Sequence, residues 1–412
     1  MVKFERYQLP NGLTVILHKD TATPLVAVNI AYNVGSRDEN PQHTGMAHLF
    51  EHLMFGGSIN IPKYDTPLEN AGGENNAFTT TDITDYYLTL PAQNIETALW
   101  LESDRMKSLA FSKKSLKNQK DVVVEEFKQS YLNQPYGDAM LLLKPLAYQV
   151  HPYQWNTIGK EISHIEKTTM EDVKAFFGTF YCPANAVLSI AGNFDTKKVK
   201  YLIEKWFSDI AGGTLYNRNL PQEPPQTAGR FAHTSNKVPV DRLFKAFKMC
   251  KRNDKEYYCV DLLSDILSNG KSSRLQKNLI MDKKIFTSAS TYLTETVDAG
   301  LLIFTGNPAD GISLQDADAE LTKELDKLSS QMVSDFELEK VKNKMYTILY
   351  YNELSIQDKA MNLAIAQTFS DAEDINHEFE NYQSVTPENI TQQAEKVLNP
   401  NVCSTLYYKI RV

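Results

Sequence analysis

Apolar residues recur along this chain at two spacings, and the switches between them outline its elements. Leu13-Thr-Val-Ile-Leu17 follows the turn signal Pro10-Asn11-Gly12, and Leu25 to Val34 is rich in β-branched and small apolar residues. Together they predict an opening pair of strands. Met46 to Phe55 is almost wholly apolar apart from three residues, with Thr44 placed to cap it and Gly56 to stop it, which predicts a short buried helix. Phe78 to Leu90 is Thr/Tyr-rich and strand-like. Residues 92–109 carry helical spacing at Ile95, Leu99, Trp100, Met106 and Leu109, and residues 114–132 form another helix ended by Asn133-Gln134-Pro135. A helix over 170–181, the strand Ala186 to Gly192 and a helix over 195–210 complete the first half.

Periodicity then lapses from Ala211 to Gly229, a stretch holding Gly212-Gly213, Pro221 and Pro224-Pro225. Beyond it the order of elements repeats: strand 244–249, helices 257–268 and 272–281, then strand 301–305. Ser189-Ile-Ala-Gly192-Asn193 is echoed by Phe304-Thr-Gly306-Asn307, and each precedes a helix. The expected fold is therefore α+β: two related sandwich domains, each a mixed or antiparallel sheet with helices packed on one side. Their expected limits are 1–212 and 229–412, with 213–228 as linker. A length of 412 residues suits two such domains.

Composition narrows the partners. With 43 Lys plus Arg against 51 Asp plus Glu, and no basic tract, nucleic acid is not an expected partner. The longest apolar runs are strand-length, so no membrane span is expected. The four cysteines, Cys182, Cys250, Cys259 and Cys403, have neither metal-type nor framework spacing and read as reduced thiols. The expected compartment is cytoplasmic, or periplasmic if a signal peptide was removed.

Among eight histidines one pair stands at helical ligand spacing, His48-Leu-Phe-Glu51-His52. Positions i and i+4 project from one helix face, so both imidazoles can share one Zn²⁺, and Glu51, about 100° round the helix, can act as base. By chance such a triplet should arise in about one of a hundred chains of this kind. Polar side chains set among Met46, Phe50, Leu53 and Phe55 need partners, and a metal supplies them. A third ligand is sought in Asp121-Val-Val-Val-Glu125-Glu126-Phe127, where spacing alone leaves Glu125 and Glu126 open. His-x-x-Glu-His is the inverzincin order.

These motifs resemble the pitrilysin/insulinase zinc metallopeptidases, which include mitochondrial processing peptidase. The resemblance is carried by Leu9-Pro-Asn-Gly-Leu-Thr-Val15, Gly35-Ser-Arg37, Gly45 to Phe55, Gly72-Gly73 with Asn76-Ala-Phe-Thr79, His151-Pro-Tyr153 and Tyr181-x-Pro-x-Asn185. It implies that the third ligand is Glu126, 74 positions after His52, and that a substrate peptide adds along an edge strand at Asn76, Ala77, Phe78 and Thr79. Gln119 stands where many relatives carry a second Glu. In the second half Ser272-Ser273-Arg274-Leu275 is present, but Ile280 and Thr287 occupy the places of an Arg and a Tyr that reach the substrate in active assemblies. The resemblance thus implies a zinc endopeptidase using Glu51 as general base, the catalytic chain of a heterodimer. A homodimer is disfavoured. His151 is either a substrate contact or a turn residue. A non-catalytic assembly subunit, or a peptide-binding module of the same fold, are the alternatives.

Overall fold

The computed structural model describes Met1–Arg411 and contains two sheets. The first sheet holds β1 (Glu5–Gln8), β2 (Thr14–Lys19), β3 (Leu25–Tyr32), β4 (Glu74–Thr79), β5 (Thr84–Pro91) and β6 (Ala186–Gly192), in the order β1-β2-β6-β3-β5-β4. The sheet is mixed, since β2 runs parallel to β6 and the other neighbours are antiparallel. The expected opening pair is not a pair, because β6 lies between β2 and β3. β6 is buried along its whole length and so takes a central place, where both edges are hydrogen-bonded. The single strand expected over 78–90 is the hairpin β4–β5, turning at residues 80–83, where Thr80 Oγ1 accepts the N–H groups of Asp82 and Ile83.

The second sheet holds β7 (Arg230–Asn236), β8 (Arg242–Lys248), β9 (Phe286–Leu293), β10 (Leu301–Pro308) and β11 (Ser404–Ile410), in the order β7-β11-β8-β10-β9. Here β7 runs parallel to β11 and the rest are antiparallel. Leaving β1 aside, the two sheets have one topology, so the expected repeat exists. Its register differs from the Gly-Asn echo, which equates β6 with β10; the counterpart of β6 is β11, near the end of the chain.

Packing divides the chain into two compact units: Met1–Phe127, Trp155–Leu220 and Tyr350–His377 form one, and Lys128–Gln154, Pro221–Leu349 and Glu378–Val412 the other. The expected limits 1–212 and 229–412 thus mark order along the chain, not packing. Only the crossing at Leu220 falls within the expected linker 213–228.

The physical reason lies in side-chain size. In β3, Val26, Val28 and Ile30 point to one face and Ala27 and Ala31 to the other. On the face of small residues the helix Ile356–Phe369 lays Ala360 against Ala27 and Ala191, and Leu363 and Ala364 against Ile16, Ala31 and Val187. Helices on one side only were expected, and this helix covers the other. In the second unit Ala139–Ala147 does the same, setting Ala139, Leu143 and Ala147 against Phe244, Leu301, Ile303 and Leu406. No helix among the described residues is long and apolar enough to cross a membrane.

Candidate metal centre

The expected buried helix is α1 (Met46–Met54). Leu49, Phe50 and Met54 are fully buried, and the Phe50 ring sits 4.2 Å from Tyr181 and 5.6 Å from Phe176 between centroids. This aromatic contact fixes the rotation of α1 and leaves His48 and His52 on its other side. The N-cap is Gly45, not Thr44. Gly45 adopts φ +90°, and a Cβ there would meet the Ile158 carbonyl oxygen at 2.7 Å. Thr44 is turned to other work, accepting the Lys160 N–H on Oγ1 at 2.8 Å and contacting His164.

The next helices are α2 (Asp65–Asn70), α3 (Ile95–Lys107) and α4 (Lys113–Phe127), the last continuing as a wider turn over Lys128–Leu132. Val123, Val124 and Phe127 bury α4, and Glu126 is half-buried while Glu125 is exposed. Of the two residues that spacing left open, Glu126 is the one that lies against the histidines. Its Oε2 lies 3.1 Å from His48 Nε2 and 3.4 Å from His52 Nε2, and the two nitrogens are 3.3 Å apart. Ligands at zinc distances of 2.0–2.1 Å stand about 3.3 Å apart at tetrahedral corners. The three atoms therefore fit three corners of such a site, and their donor types suit zinc. Among the described residues this is the one cluster of three potential ligands of its kind.

Charge follows geometry. Hydrogen bonds from His48 and then His52 hold the Glu126 carboxyl well below the usual carboxylate range, against a smaller opposing effect of burial. Burial disfavours a charged His48, but the hydrogen bonds to Glu126 and Glu51 outweigh it and lift its pKa to about 9.

Glu51 stands beside the triad, with Oε2 3.7 Å from His48 Nδ1. The same oxygen accepts the Thr79 hydroxyl at 2.5 Å. Thr79 ends β4, which has a neighbour on one side only, so Asn76, Ala77, Phe78 and Thr79 do lie on an edge strand. The Asn76 side-chain oxygen accepts the Ala77 N–H at 2.8 Å. His151 belongs to the other unit, where Nε2 pairs with Asp298 at 3.3 Å and Nδ1 accepts the Tyr153 N–H. Ile280 packs against the core of that unit, and Thr287, on β9, donates to the Asn307 carbonyl. Gln119 is half-buried on α4, one residue before Lys120, which bonds the Thr168 carbonyl.

Sequence reasoning missed Glu39. This buried carboxyl accepts the N–H groups of Gly45 (2.9 Å) and Ala47 (2.8 Å) and the Trp155 indole N–H (3.1 Å). Burial pushes its pKa up to about 8, while these donors pull it back.

Residues 14–158 match the family described as insulinase (peptidase family M16), and residues 167–345 match the peptidase M16 inactive domain. The chain belongs to this family. Among its M16 relatives, zinc protease PqqE of Helicobacter pylori is 29% identical over 348 residues, 82% of this chain and 78% of that one. The mitochondrial-processing peptidase subunit beta of Saccharomyces cerevisiae is 22% identical over 421 residues, 98% of this chain and 88% of its own. The crystal structure of a protease from Helicobacter pylori superimposes with a TM-score of 0.92 at 27% identity, covering 99% of this chain and all of that one. The short, two-domain M16 organisation and the two-sheet fold are thus established, and the expected family stands.

Proposed function

We propose that this chain is a zinc endopeptidase acting on extended or unfolded peptides, with His48, His52 and Glu126 as ligands and Glu51 as general base. The observation that carries this is the set of three donor separations, each close to a tetrahedral edge. When bound, zinc supplies a Lewis acid that acidifies water and polarises a carbonyl. Glu51 takes the proton of the attacking water and returns it to the leaving amine. Thr79 orients the Glu51 carboxylate, and its neighbours on β4 offer main-chain groups to any peptide sequence. The bond between Asn76 and Ala77 already occupies one of these groups, so an arriving peptide exchanges a bond there.

The second unit carries Ile280 and Thr287 where an Arg and a Tyr would serve the substrate, which supports pairing with a non-identical two-domain chain. One relative is by its name a subunit. The test is zinc stoichiometry with cleavage of an unstructured peptide, by wild type and Glu51→Gln, each alone and with the candidate partner. One zinc per chain, with activity lost in Glu51→Gln, is the expected result. Stoichiometric zinc with no cleavage under any condition overturns the enzymatic reading, and full activity without a partner overturns the two-chain one.

A further inference from the structure

Helix α1 carries two proposed ligands and the proposed base within nine residues, yet its own N-cap has no side chain. The first N–H groups of a helix have no partner within it and must find one elsewhere. A capping box uses two side chains to satisfy such groups, one bonding into the first turn and one bonding back to the N-cap N–H. Here one carboxylate does both from outside the helix. Glu39 takes the N-cap N–H of Gly45 on Oε2 and the N–H of Ala47 on Oε1, and the residue is 6% exposed. Trp155 holds it in place: its indole N–H is shared between Glu39 Oε2 and the Ser36 carbonyl. When Glu39 is ionised, its charge also meets the positive pole of the helix. The residue that follows Ala47 is His48.

We propose that Glu39 is a positioning residue of the metal centre: by fixing the first turn of α1 it sets His48 Nε2 against His52 and Glu126. The inference rests on the metal-binding reading of that triad. It follows because the 3.3 Å and 3.1 Å separations depend on where the first turn stands relative to the second turn and to α4. Glutamine has the size of Glu39 but accepts on one oxygen only, and its amide would face an N–H donor.

The experiment uses the full chain at about pH 8.5, on the alkaline side of the raised Glu39 pKa. Zinc affinity is read by competition with a chromophoric chelator, and ligand geometry from the visible spectrum of the Co²⁺-loaded protein. Wild type and His52→Ala are measured first. Failure of wild type to bind zinc more tightly than His52→Ala refutes the triad itself, separately from the role of Glu39. Given tight wild-type binding, Glu39→Gln is expected to weaken zinc by about 10–100-fold, as loss of groups that orient ligands does, with a changed Co²⁺ spectrum. Glu39→Ala, which gives up both acceptors, is expected to lose more, and Glu39→Gln keeps the test informative should Glu39→Ala fold poorly. A folded Glu39→Gln protein with wild-type affinity and an unchanged Co²⁺ spectrum overturns the proposal, even if its melting temperature falls.

Discussion

Removing the counter-charge of Arg105 tests how the floor of the first unit is held. Arg105 and Glu102, both on α3, are 2% and 1% exposed. The guanidinium bonds Glu102 through Nε at 2.8 Å and Nη2 at 2.7 Å, and Glu102 also accepts the Tyr64 hydroxyl at 2.5 Å. The charge lies 4.3 Å from the Tyr86 ring centre, 4.8 Å from that of Tyr64, and 5.9 Å from that of Phe55, which follows α1. Glu102→Gln keeps the shape and one acceptor but strands a buried cation, a change that costs about 3–5 kcal/mol. The two tyrosine faces return up to about 2 kcal/mol in a desolvated site but are already engaged in the wild type, so they soften the loss little. For a unit of this size, at roughly 2–4 °C per kcal/mol, the melting temperature should fall by roughly 6–20 °C. Glu102→Leu combined with Arg105→Met removes both charges and should return to within about 1–3 kcal/mol of wild type, the shortfall being the orphaned Tyr64 hydroxyl. Calorimetry and urea unfolding measure all three proteins. A Glu102→Gln protein within about 1 kcal/mol of wild type, or a double variant less stable than the single one, would refute the reasoning.

Two further outcomes follow from the site and its surroundings. Thr79→Val deletes the hydroxyl that bonds Glu51, an interaction with a charged group worth about 1.5–3 kcal/mol, so kcat should fall roughly ten- to a hundredfold with little change in KM and with recovery in Thr79→Ser; a raised KM at constant kcat would mean that Thr79 serves the peptide instead. Asp85 is wholly buried beside Asn29, and burial pushes its pKa up to about 8, so between roughly pH 4 and pH 8 the folded chain holds a proton that the unfolded chain has released. Stability should therefore fall as pH rises through that window, and Asp85→Asn should flatten the fall; equal slopes for the two proteins in urea unfolding at several pH values would contradict this.

What the sequence disclosed depended on how local each relation is. His48, Glu51 and His52 share one helix, and the helical period alone sets their mutual directions, so their grouping was legible from spacing. Glu126 was legible only as one of two residues, because choosing it over Glu125 requires the rotation of α4. That rotation is set by where Val123 and Phe127 find their core, a fact of tertiary packing. Glu39 left less trace still, since its partners are backbone N–H groups, which every residue type but proline offers. One sign of it was available: taking Thr44 as the cap puts Ala47 three residues on, where a capping box wants Glu or Gln. A buried helix start lacking that partner must draw an acceptor from elsewhere, and the nearest preceding carboxylates in the chain are Asp38 and Glu39. The interleaving of the two units was the least legible feature. The helix Ile356–Phe369 reads as apolar on more than one side, and what directs it is the match of Ala360 and Ala364 to Ala27, Ala31 and Ala191. Small side chains facing small side chains let helix and sheet approach closely, but alanine carries no periodic contrast by which a pattern could show its partner. Ala139–Ala147 was hidden for a different reason: the large residues it covers, Phe244, Leu301, Ile303 and Leu406, lie beyond the linker in sequence. Motifs thus located the chemistry, whereas complementarity of size, which one-dimensional periodicity does not encode, decided which parts of the chain surround it.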